Sequence, residues 1–456
     1  MTFGSGPVHF IGIGGAGMSA IAKVLLEQGV AVSGSDLKGS PAATMLEVMG
    51  ADVHIGHDAA HSAGRPVVVV SSAIPDSNPE LVAARHSGAR VLTRGEALAE
   101  VLKGSRAIVV AGTHGKTSTT SMIVTVMLSA GSDPTYLVGG GLNDVGTNAR
   151  FGHDEFAVAE SDESDGSFLL LDPYIAVVTN IDVDHVDYWK SWDGIKAGFR
   201  QFLGRVVPGG AACVPATDAA LLETANGTGC AVETFGDGGD VAARAVRLGP
   251  GGSDFLLTRD GKEAPVSLRV PGSHNVANAL AAAAACARAG IALDVIARGL
   301  SSYRGVERRY QLRGSAAGVT VIDDYAHHPS EVRATLAAAR PGPWRRVVAV
   351  FQPHRYSRTA AMAKDFGDAF GDADRIVVTD VYGAGESPVP GVTGKLVADA
   401  VCTAVPGRPV AYLPHRADLL GYLAASARAG DAVLTLGAGD VTTVGEELLA
   451  RLEGGS

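Results

Sequence analysis

The sequence predicts an α/β protein with parallel sheets, divided into three domains. Three observations carry that expectation. Short β-branched runs alternate with Ala/Leu-rich amphipathic stretches along almost the whole chain, the order that builds βαβ units. Glycine loops of different character follow apolar runs and separate three segments. The length, 456 residues, suits about three domains of roughly 150 residues each. A hydrophobic share of 46% is ample for real cores and excludes wholesale disorder.

In the first segment, residues 1–103, strand-like runs stand at 8–13, 30–33 and 67–71, and a helix at 19–28 is stopped by Gly29. It closes on a helix at 94–102, after which Lys103-Gly104-Ser105 reads as a linker. The second, 104–306, opens with a strand at 107–111, turns through a glycine loop and enters a long helix ending at Gly131. Residues 208–270 are Gly/Asp-rich and read as small strands and turns. A helix at 275–288 follows, with Ser273 as N-cap and Gly290 as stop. The third, 307–456, holds strands at 319–322, 347–351, 375–379 and 432–436.

Charge excludes one class of partner. Lys+Arg 38 against Asp+Glu 48 gives a net charge of −10, a poor balance for neutralising a nucleic-acid backbone, so no nucleic acid is expected. Small polyanions still bind locally through backbone N–H groups and a few placed cations. The cysteines Cys213, Cys230, Cys286 and Cys402 form no CxxC pair, which suggests neither a disulfide framework nor a thiolate zinc site. No signal peptide is evident, and no apolar stretch approaches the ~20 residues that span a bilayer. The expectation is a reduced, soluble, cytoplasmic protein without membrane insertion.

Two loops promise phosphate chemistry. Gly12-Ile13-Gly14-Gly15-Ala16-Gly17 is a full G-x-G-x-x-G between a strand and a helix, and Asp36 closes the next strand where an acid would hold a ribose. The bland alternative is a tight turn without ligand; the motif specifies a nucleotide diphosphate and not nicotinamide. Gly112-Thr113-His114-Gly115-Lys116-Thr117-Ser118 resembles a P-loop, with two residues between its glycines in place of the usual four. Its amides suit phosphate, Lys116 suits the β/γ oxygens, and the Thr117 hydroxyl can reach Mg²⁺. With two such loops, one polyphosphate is spent in chemistry and the other is a handle on a second substrate.

Further polar motifs follow apolar runs, at the sheet edge where α/β proteins place ligands. Glu160-Ser161-Asp162-Glu163-Ser164-Asp165 and Asn180-Ile181-Asp182-Val183-Asp184-His185 offer a carboxylate and an imidazole for a metal, with a solvated acidic loop as the alternative. Arg308-Arg309, Asp323-Asp324-Tyr325-Ala326-His327-His328-Pro329 and Gln352-Pro353-His354-Arg355-Tyr356-Ser357-Arg358 lie in the third segment. Arg355 and Arg358 offer a bidentate carboxylate clamp. The histidines complete no zinc set, and isolated histidines are more often structural or surface residues.

Together these motifs resemble the Mur ligases of peptidoglycan synthesis, and within them the alanine-adding branch. HFIGIGGAGM, AGTHGKT, AESDESDGSF, TNIDVDH, GSHNVANAL, RRY, DDYAHHP, FQPHRYSRT and GAGD carry the resemblance over nearly the whole chain. It implies an ATP-dependent amide ligase: a Rossmann-like UDP-sugar domain (1–103), a central P-loop ATPase-like domain (104–306) and a Rossmann-like amino-acid domain (307–456). Gly12, Gly14, Gly15, Gly17 and Asp36 would then take UDP-N-acetylmuramate. Gly112, Thr113, His114, Gly115, Lys116, Thr117 and Ser118 would bind ATP, with His274, Asn275 and Asn278 on the adenine side. Thr117, Glu160 and His185 would hold Mg²⁺. Arg309 and Asp324 resemble an ATP-handling pair, and Tyr325, His327, Arg355 and Arg358 would face L-alanine. Later-acting members carry a carbamylated lysine near the metal; Arg200 stands closest to that position, with Lys196 one turn earlier, so no modified residue is expected.

The implied chemistry is attack of a lactyl carboxylate on the ATP γ-phosphate, then attack of a neutral amine on the acyl phosphate, with His327 or a nearby carboxylate as base. Lys116, Arg309, Asp324 and His327 are the expected catalytic set, and domain closure is expected to unite clamp and P-loop. Competing readings are a ligase of the same family that recycles a tripeptide, a nicotinamide-dependent dehydrogenase, and a nucleotide-sensing scaffold. The dehydrogenase leaves Lys116 and Thr117 idle; the scaffold leaves Arg355 and Arg358 unexplained.

Overall fold

The computed structural model describes residue 3 and residues 6–143, 146–182 and 186–454, without the side chains of residues 186 and 187. The first sheet comprises β1 (Val8–Ile11), β2 (Val32–Asp36), β3 (Asp52–Ile55), β4 (Val67–Val70) and β5 (Arg90–Thr93). All are parallel, in the order β3-β2-β1-β4-β5. The order reverses beside β1, so the glycine loop after β1 opens at the switch point where such sheets bind ligands. The three inner strands overlap the runs expected from sequence, β2 starting two residues later than expected and running on to Asp36. The edges β3 and β5 do not show as apolar runs: each is four residues long and begins on a charged residue, Asp52 and Arg90, as edges that resist further pairing do.

The second sheet comprises β6 (Arg106–Ala111), β7 (Thr135–Leu137), β8 (Ala149–Arg150), β9 (Phe156–Glu160) and β10 (Ile175–Val178). It continues with β11 (Ala211–Pro215), β12 (Ala231–Phe235), β13 (Val241–Gly249), β14 (Gly252–Arg259) and β15 (Lys262–Leu268). Their order is β15-β14-β13-β12-β11-β10-β6-β9-β7-β8. β6 lies between β10 and β9, parallel to both, so the loop after β6 is flanked by the ends of its two neighbours. The small strands expected within 208–270 prove long in part: β13, β14 and β15 have 9, 8 and 7 residues. The helix Ser273–Arg288 includes Ser273, so that residue opens the helix and does not cap it; Gly272, at φ +97°, precedes it.

The third sheet comprises β16 (Gln311–Ala316), β17 (Val319–Asp324), β18 (Arg346–Phe351), β19 (Arg375–Val378), β20 (Val410–Tyr412) and β21 (Asp431–Leu436). The order is β16-β17-β21-β18-β19-β20, parallel except for β16. Alternation along β18 shows why this sheet is covered on both faces. Val347, Ala349 and Phe351 join a core with Phe366 and Phe370, while Val348 and Val350 join another with Leu419, Leu420 and Leu423.

Contacts divide the chain into two compact units. One holds the first two sheets up to Ala245, with Phe255–Val266 and Ala277–Tyr303; the other holds Val246–Asp254, Ser267–Val276 and the chain from Arg304 onward. In the first unit a single apolar core joins Val8, Phe10 and Leu25 to Val109, Phe168 and Phe199. Among the described residues no helix is long and apolar enough to cross a membrane.

Candidate active site

The loop at 12–17 is built from main chain and one carboxylate. Gly12 turns at φ +86°, and its N–H and that of Ile13 donate to the Ser35 carbonyl at 2.8 and 3.0 Å. Gly14 N–H donates to Asp36 Oδ2 at 2.9 Å. Asp36 therefore braces the loop through this oxygen. Gly15 precedes the helix Ala16–Glu27, whose first-turn amides lack intrahelical acceptors and suit an anion. A Cβ on Gly17 would press on Arg94, and one on Gly14 on Ser40 and Asp36, which ties both glycines to close packing.

The loop at 112–118 is held by side chains. Asn180 accepts from His114 N–H at 3.0 Å through Oδ1 and donates through Nδ2 to the His114 carbonyl at 2.9 Å. Its own carbonyl accepts from Thr113 N–H at 3.1 Å, and Thr179 Oγ1 donates to His114 O at 2.6 Å. The amides of Thr113 and His114 are thus committed to the strand end beyond β10. Gly112 and Gly115 sit at φ +129° and +80°, where an added Cβ would overlap Thr179 and Asn278 respectively. Asn278 lies beside this loop.

Lys116 begins the helix Lys116–Ser129, which is buried from Thr117 to Met127. Three hydroxyls there are satisfied within the helix: Thr120, Ser121 and Thr125 donate to the carbonyls four residues earlier. Lys116 Nζ donates to Gly112 O at 2.7 Å and to Glu163 Oε2 at 2.8 Å, with Asp162 at 3.8 Å. Burial opposes its charge, but Glu163 and Asp162 outweigh burial and hold the ammonium above its usual range. Glu163, 2% exposed, is the partner that the motif displayed without marking. Glu160 ends β9 opposite Val110, and room for its carboxylate exists because Gly139 has no side chain. Thr117 and Glu160 thus belong to one sheet edge and offer hard oxygen donors, which suit Mg²⁺. His185 lies outside the described residues. Lys196 pairs with the exposed Asp193 at 2.7 Å, a surface ion pair.

In the second unit, the two doublets divide their labour. Asp323, fully buried, accepts from Thr435 Oγ1 at 2.6 Å, Thr442 Oγ1 at 2.8 Å and Arg308 Nε at 3.3 Å. Arg308 also donates to the Gly437 carbonyl at 2.7 Å, so this pair is structural. Asp324 accepts from the amides of Tyr310 at 2.7 Å and Ala326 at 2.8 Å. Burial pushes its carboxyl up to about 6, with Arg309 pulling the other way. Arg309 also lies over the Tyr325 ring, its Cζ 5.1 Å from the centroid, and helps burial push His274 down to about 4. Asn275 turns its amide to the Pro271 carbonyl at 2.7 Å.

Next to Tyr325 the structure gathers a row of rings, His327, His354 and Tyr382. The rings of Tyr325 and His327 meet edge to face at 5.3 Å, His327 and His354 at 5.5 Å, and His354 stacks on Tyr382 at 6.0 Å. His327 Nδ1 lies 3.0 Å from the Tyr325 carbonyl; it donates there, so the neutral ring keeps its lone pair on Nε2. Burial pushes His327 down to about 4, Glu331 opposing and Arg358 assisting. Burial likewise brings His354 to about 3, with His327, Arg358 and Arg355 adding to it. Both imidazoles are neutral at pH 7. Arg355 sits at φ +65° before the helix Tyr356–Met362, and Arg358 is inside it. Glu331, missed by sequence reading, accepts from the amides of His327 and His328 at 3.0 and 3.2 Å. An acid three residues after His328 was its available signal.

Three family models match the chain in order: the Mur ligase family, catalytic domain, at residues 7–106; the Mur ligase middle domain at 110–286; and the Mur ligase, glutamate ligase domain, at 308–439. The UDP-N-acetylmuramate–L-alanine ligase of Rubrobacter xylanophilus is 49% identical over 98% of this chain and all of its own length. That of Kineococcus radiotolerans is also 49% identical, over 98% of this chain and 96% of its own. The crystal structure of UDP-N-acetylmuramate-alanine ligase from Thermotoga maritima matches with TM-score 0.84 at 27% identity, covering 99% of this chain and 100% of that one. A murein peptide ligase from Psychrobacter arcticus matches at TM-score 0.74 and 25% identity, over 98% and 99%. With three models in order and close to half its residues shared with full-length relatives, this chain belongs to the Mur ligase family.

Proposed function

We propose that this chain joins L-alanine to the lactyl carboxylate of UDP-N-acetylmuramate, converting ATP to ADP and phosphate, in the cytoplasmic synthesis of peptidoglycan precursors. The observation that carries this reading is the full-length identity of 45–49% to relatives that all bear the name UDP-N-acetylmuramate–L-alanine ligase. The residues support it with a division of tasks. The 12–17 loop takes the UDP diphosphate on the uncharged first-turn amides of the helix Ala16–Glu27. The 112–118 loop takes ATP, with Lys116 on its terminal phosphates and Asn278, His274 and Asn275 toward the adenine.

A carboxylate oxygen attacks the γ-phosphorus, ADP leaves, and an acyl phosphate forms. Lys116 follows the charge that develops on the transferred oxygens. Thr117 and Glu160, with His185 by resemblance, would hold Mg²⁺, which when bound neutralises that same charge. The amine of L-alanine then attacks the acyl carbon and phosphate departs. Arg355 and Arg358 grip the alanine carboxylate, while Arg309 and Asp324 act on the ATP side. His327 Nε2 accepts a proton as the C–N bond forms, when the nitrogen turns acidic enough for a base of pKa about 4.

ADP release, measured with each amino acid and with a murein tripeptide, in the presence and absence of UDP-N-acetylmuramate, tests the reading. Turnover should require both UDP-N-acetylmuramate and L-alanine. Turnover with the tripeptide in place of L-alanine would instead make this the recycling ligase.

A further inference from the structure

Behind the glycine loop, the first domain buries a titratable cluster that no step above uses. Glu80, fully buried, sits in the first turn of the helix Pro79–His86. Its Oε2 lies 2.6 Å from His9 Nε2 and accepts from Ser35 Oγ at 2.9 Å. Its Oε1 lies 2.8 Å from His57 Nδ1 and 3.6 Å from His61 Nδ1. His9 turns its other nitrogen to Ser33 Oγ at 2.9 Å, and His54 stacks on His61 at 4.1 Å. Three of the 13 histidines therefore gather about one carboxylate, drawn from β1 and the segment after β3, and His54 of β3 packs on the third.

Such a network is a poor way to stabilise a core, because a well-packed apolar replacement is often as stable. What it can do is fix one geometry. Ser35 is the link. Its hydroxyl is held by Glu80 and lies 3.1 Å from His57, while its carbonyl receives the amides of Gly12 and Ile13. The next residue, Asp36, receives the amide of Gly14. Three successive loop amides rest on Ser35, which Glu80 anchors, and on its chain neighbour Asp36.

We infer that Glu80 is a positioning residue for the diphosphate of the UDP-sugar, acting through the Ser35 hydroxyl on the strand end that braces the glycine loop. The inference rests on the reading that this loop takes the UDP-sugar. Ser33 supplies an internal contrast. It belongs to the same strand and the same cluster, through His9, but its carbonyl does not receive a loop amide.

The experiment compares S35A, S33A and E80Q with G15V as a control on the loop itself. A Cβ at Gly15 would meet only the Gly12 carbonyl at 3.5 Å and Met18 at 3.9 Å, whereas one at Gly14 would press on Asp36, so G15V is the control that spares that brace. Calorimetry reads the Kd of UDP-N-acetylmuramate; kinetics read kcat and the KM values of ATP and L-alanine; thermal unfolding monitors the fold. S35A should weaken UDP-N-acetylmuramate about three- to tenfold, the worth of one hydrogen bond, with the other KM values unchanged. S33A should leave that Kd unchanged, and E80Q, which keeps one acceptor oxygen, should fall between S35A and the parent. Should E80Q fail to fold, S35A against S33A decides alone. Equal effects of S33A and S35A, or none from S35A while G15V abolishes binding, overturn the inference and leave the loop assignment standing. If G15V binds the UDP-sugar normally, the loop assignment falls and the inference with it.

Discussion

The two phosphate-binding loops share a plan, strand then glycines then helix, and differ in everything that decides chemistry. The loop after β1 contains no charged residue, and its helix opens with Ala16, Gly17 and Met18. Its braces are the Ser35 carbonyl and the Asp36 carboxylate. The loop after β6 opens its helix with Lys116, whose ammonium is pre-paired with Glu163, and its brace is the neutral amide of Asn180. A helix N-terminus alone can hold a diphosphate in place. Only a charge on a side chain long enough to follow the moving phosphoryl group can favour the transition state over the ground state. The contrast teaches that the glycine pattern marks where phosphate sits, and the first helical residue marks whether that phosphate reacts.

The sharpest way to break this contrast is Lys116→Ala. Turnover should fall on the order of a thousandfold, the usual cost of removing a preorganised transition-state charge, while UDP-N-acetylmuramate still binds. Single-turnover ADP release and calorimetry measure the two halves. Near-normal turnover would make the two loops equivalent and remove the catalytic assignment.

Stability should separate the regions next, because the glycine loop stands on a buried carboxylate. Burial alone would raise Glu80, but bonds from His9, Ser35 and His57 outweigh it and hold the carboxyl at about 2, against 4.5 when exposed. A depressed acid stabilises the fold fully above its unfolded pKa and loses that contribution as pH falls through the folded one. The stability gap between the parent and Glu80→Gln should therefore be full at pH 7, on the order of 3 kcal/mol, and close between pH 4.5 and 2. Asp324 and His327 also titrate in acid, in opposite senses, but they are present in both proteins and cancel in the difference. Thermal unfolding followed at pH 7, 4.5 and 3 measures the gap; a pH-independent difference would mean that the carboxylate is not ionised in the fold.

The third domain, without a glycine loop of this kind, extends the comparison. If guanidinium groups there replace loop amides as the anion grip, Arg358→Ala should raise the KM of L-alanine about ten- to hundredfold and leave the other substrates alone. Arg358→Lys should also hurt, since it keeps charge and loses the planar fork. A raised KM for UDP-N-acetylmuramate instead would move these arginines to the other substrate.

How much of this was legible follows the same divide between pattern and partner. Strand–loop–helix junctions announce themselves locally, which is why β1, β6 and β18 and the loops after β1 and β6 could be found from residue spacing. What a residue touches across the sheet cannot be read that way. Arg308 and Arg309 are adjacent in sequence, as are Asp323 and Asp324, yet Arg308 bonds Asp323, which Thr435 and Thr442 also hold, while the charge of Arg309 acts on Asp324 and His274. The offset of Asp36 pointed to a ribose, but its bond to the Gly14 amide could not be read from that offset. Edge strands β3 and β5 were invisible because the charges that protect an edge also erase its apolar signature.

Asn180 offers the mildest and most discriminating test, since it touches the loop and not the phosphate. It lies two residues beyond β10 and bonds the Thr113 amide through its carbonyl and both faces of the His114 peptide through its side chain. Asn180→Ala removes only the side-chain bonds and keeps the main-chain one, so the loop should loosen without unfolding. Two neutral hydrogen bonds at about 1 kcal/mol each predict roughly a ten- to thirtyfold loss, read in the KM of ATP or in kcat. Asn180→Asp should be worse than its isostery suggests: it keeps the acceptor for His114 N–H, replaces the donor to His114 O with a second acceptor, and adds an anion where ATP must approach. Neither change should alter the affinity for UDP-N-acetylmuramate, because nothing in the brace of the first loop depends on Asn180. A matched loss of UDP-sugar binding would show that the two loops are coupled through the core they share, and that the separation of holding from reacting is not local to each loop.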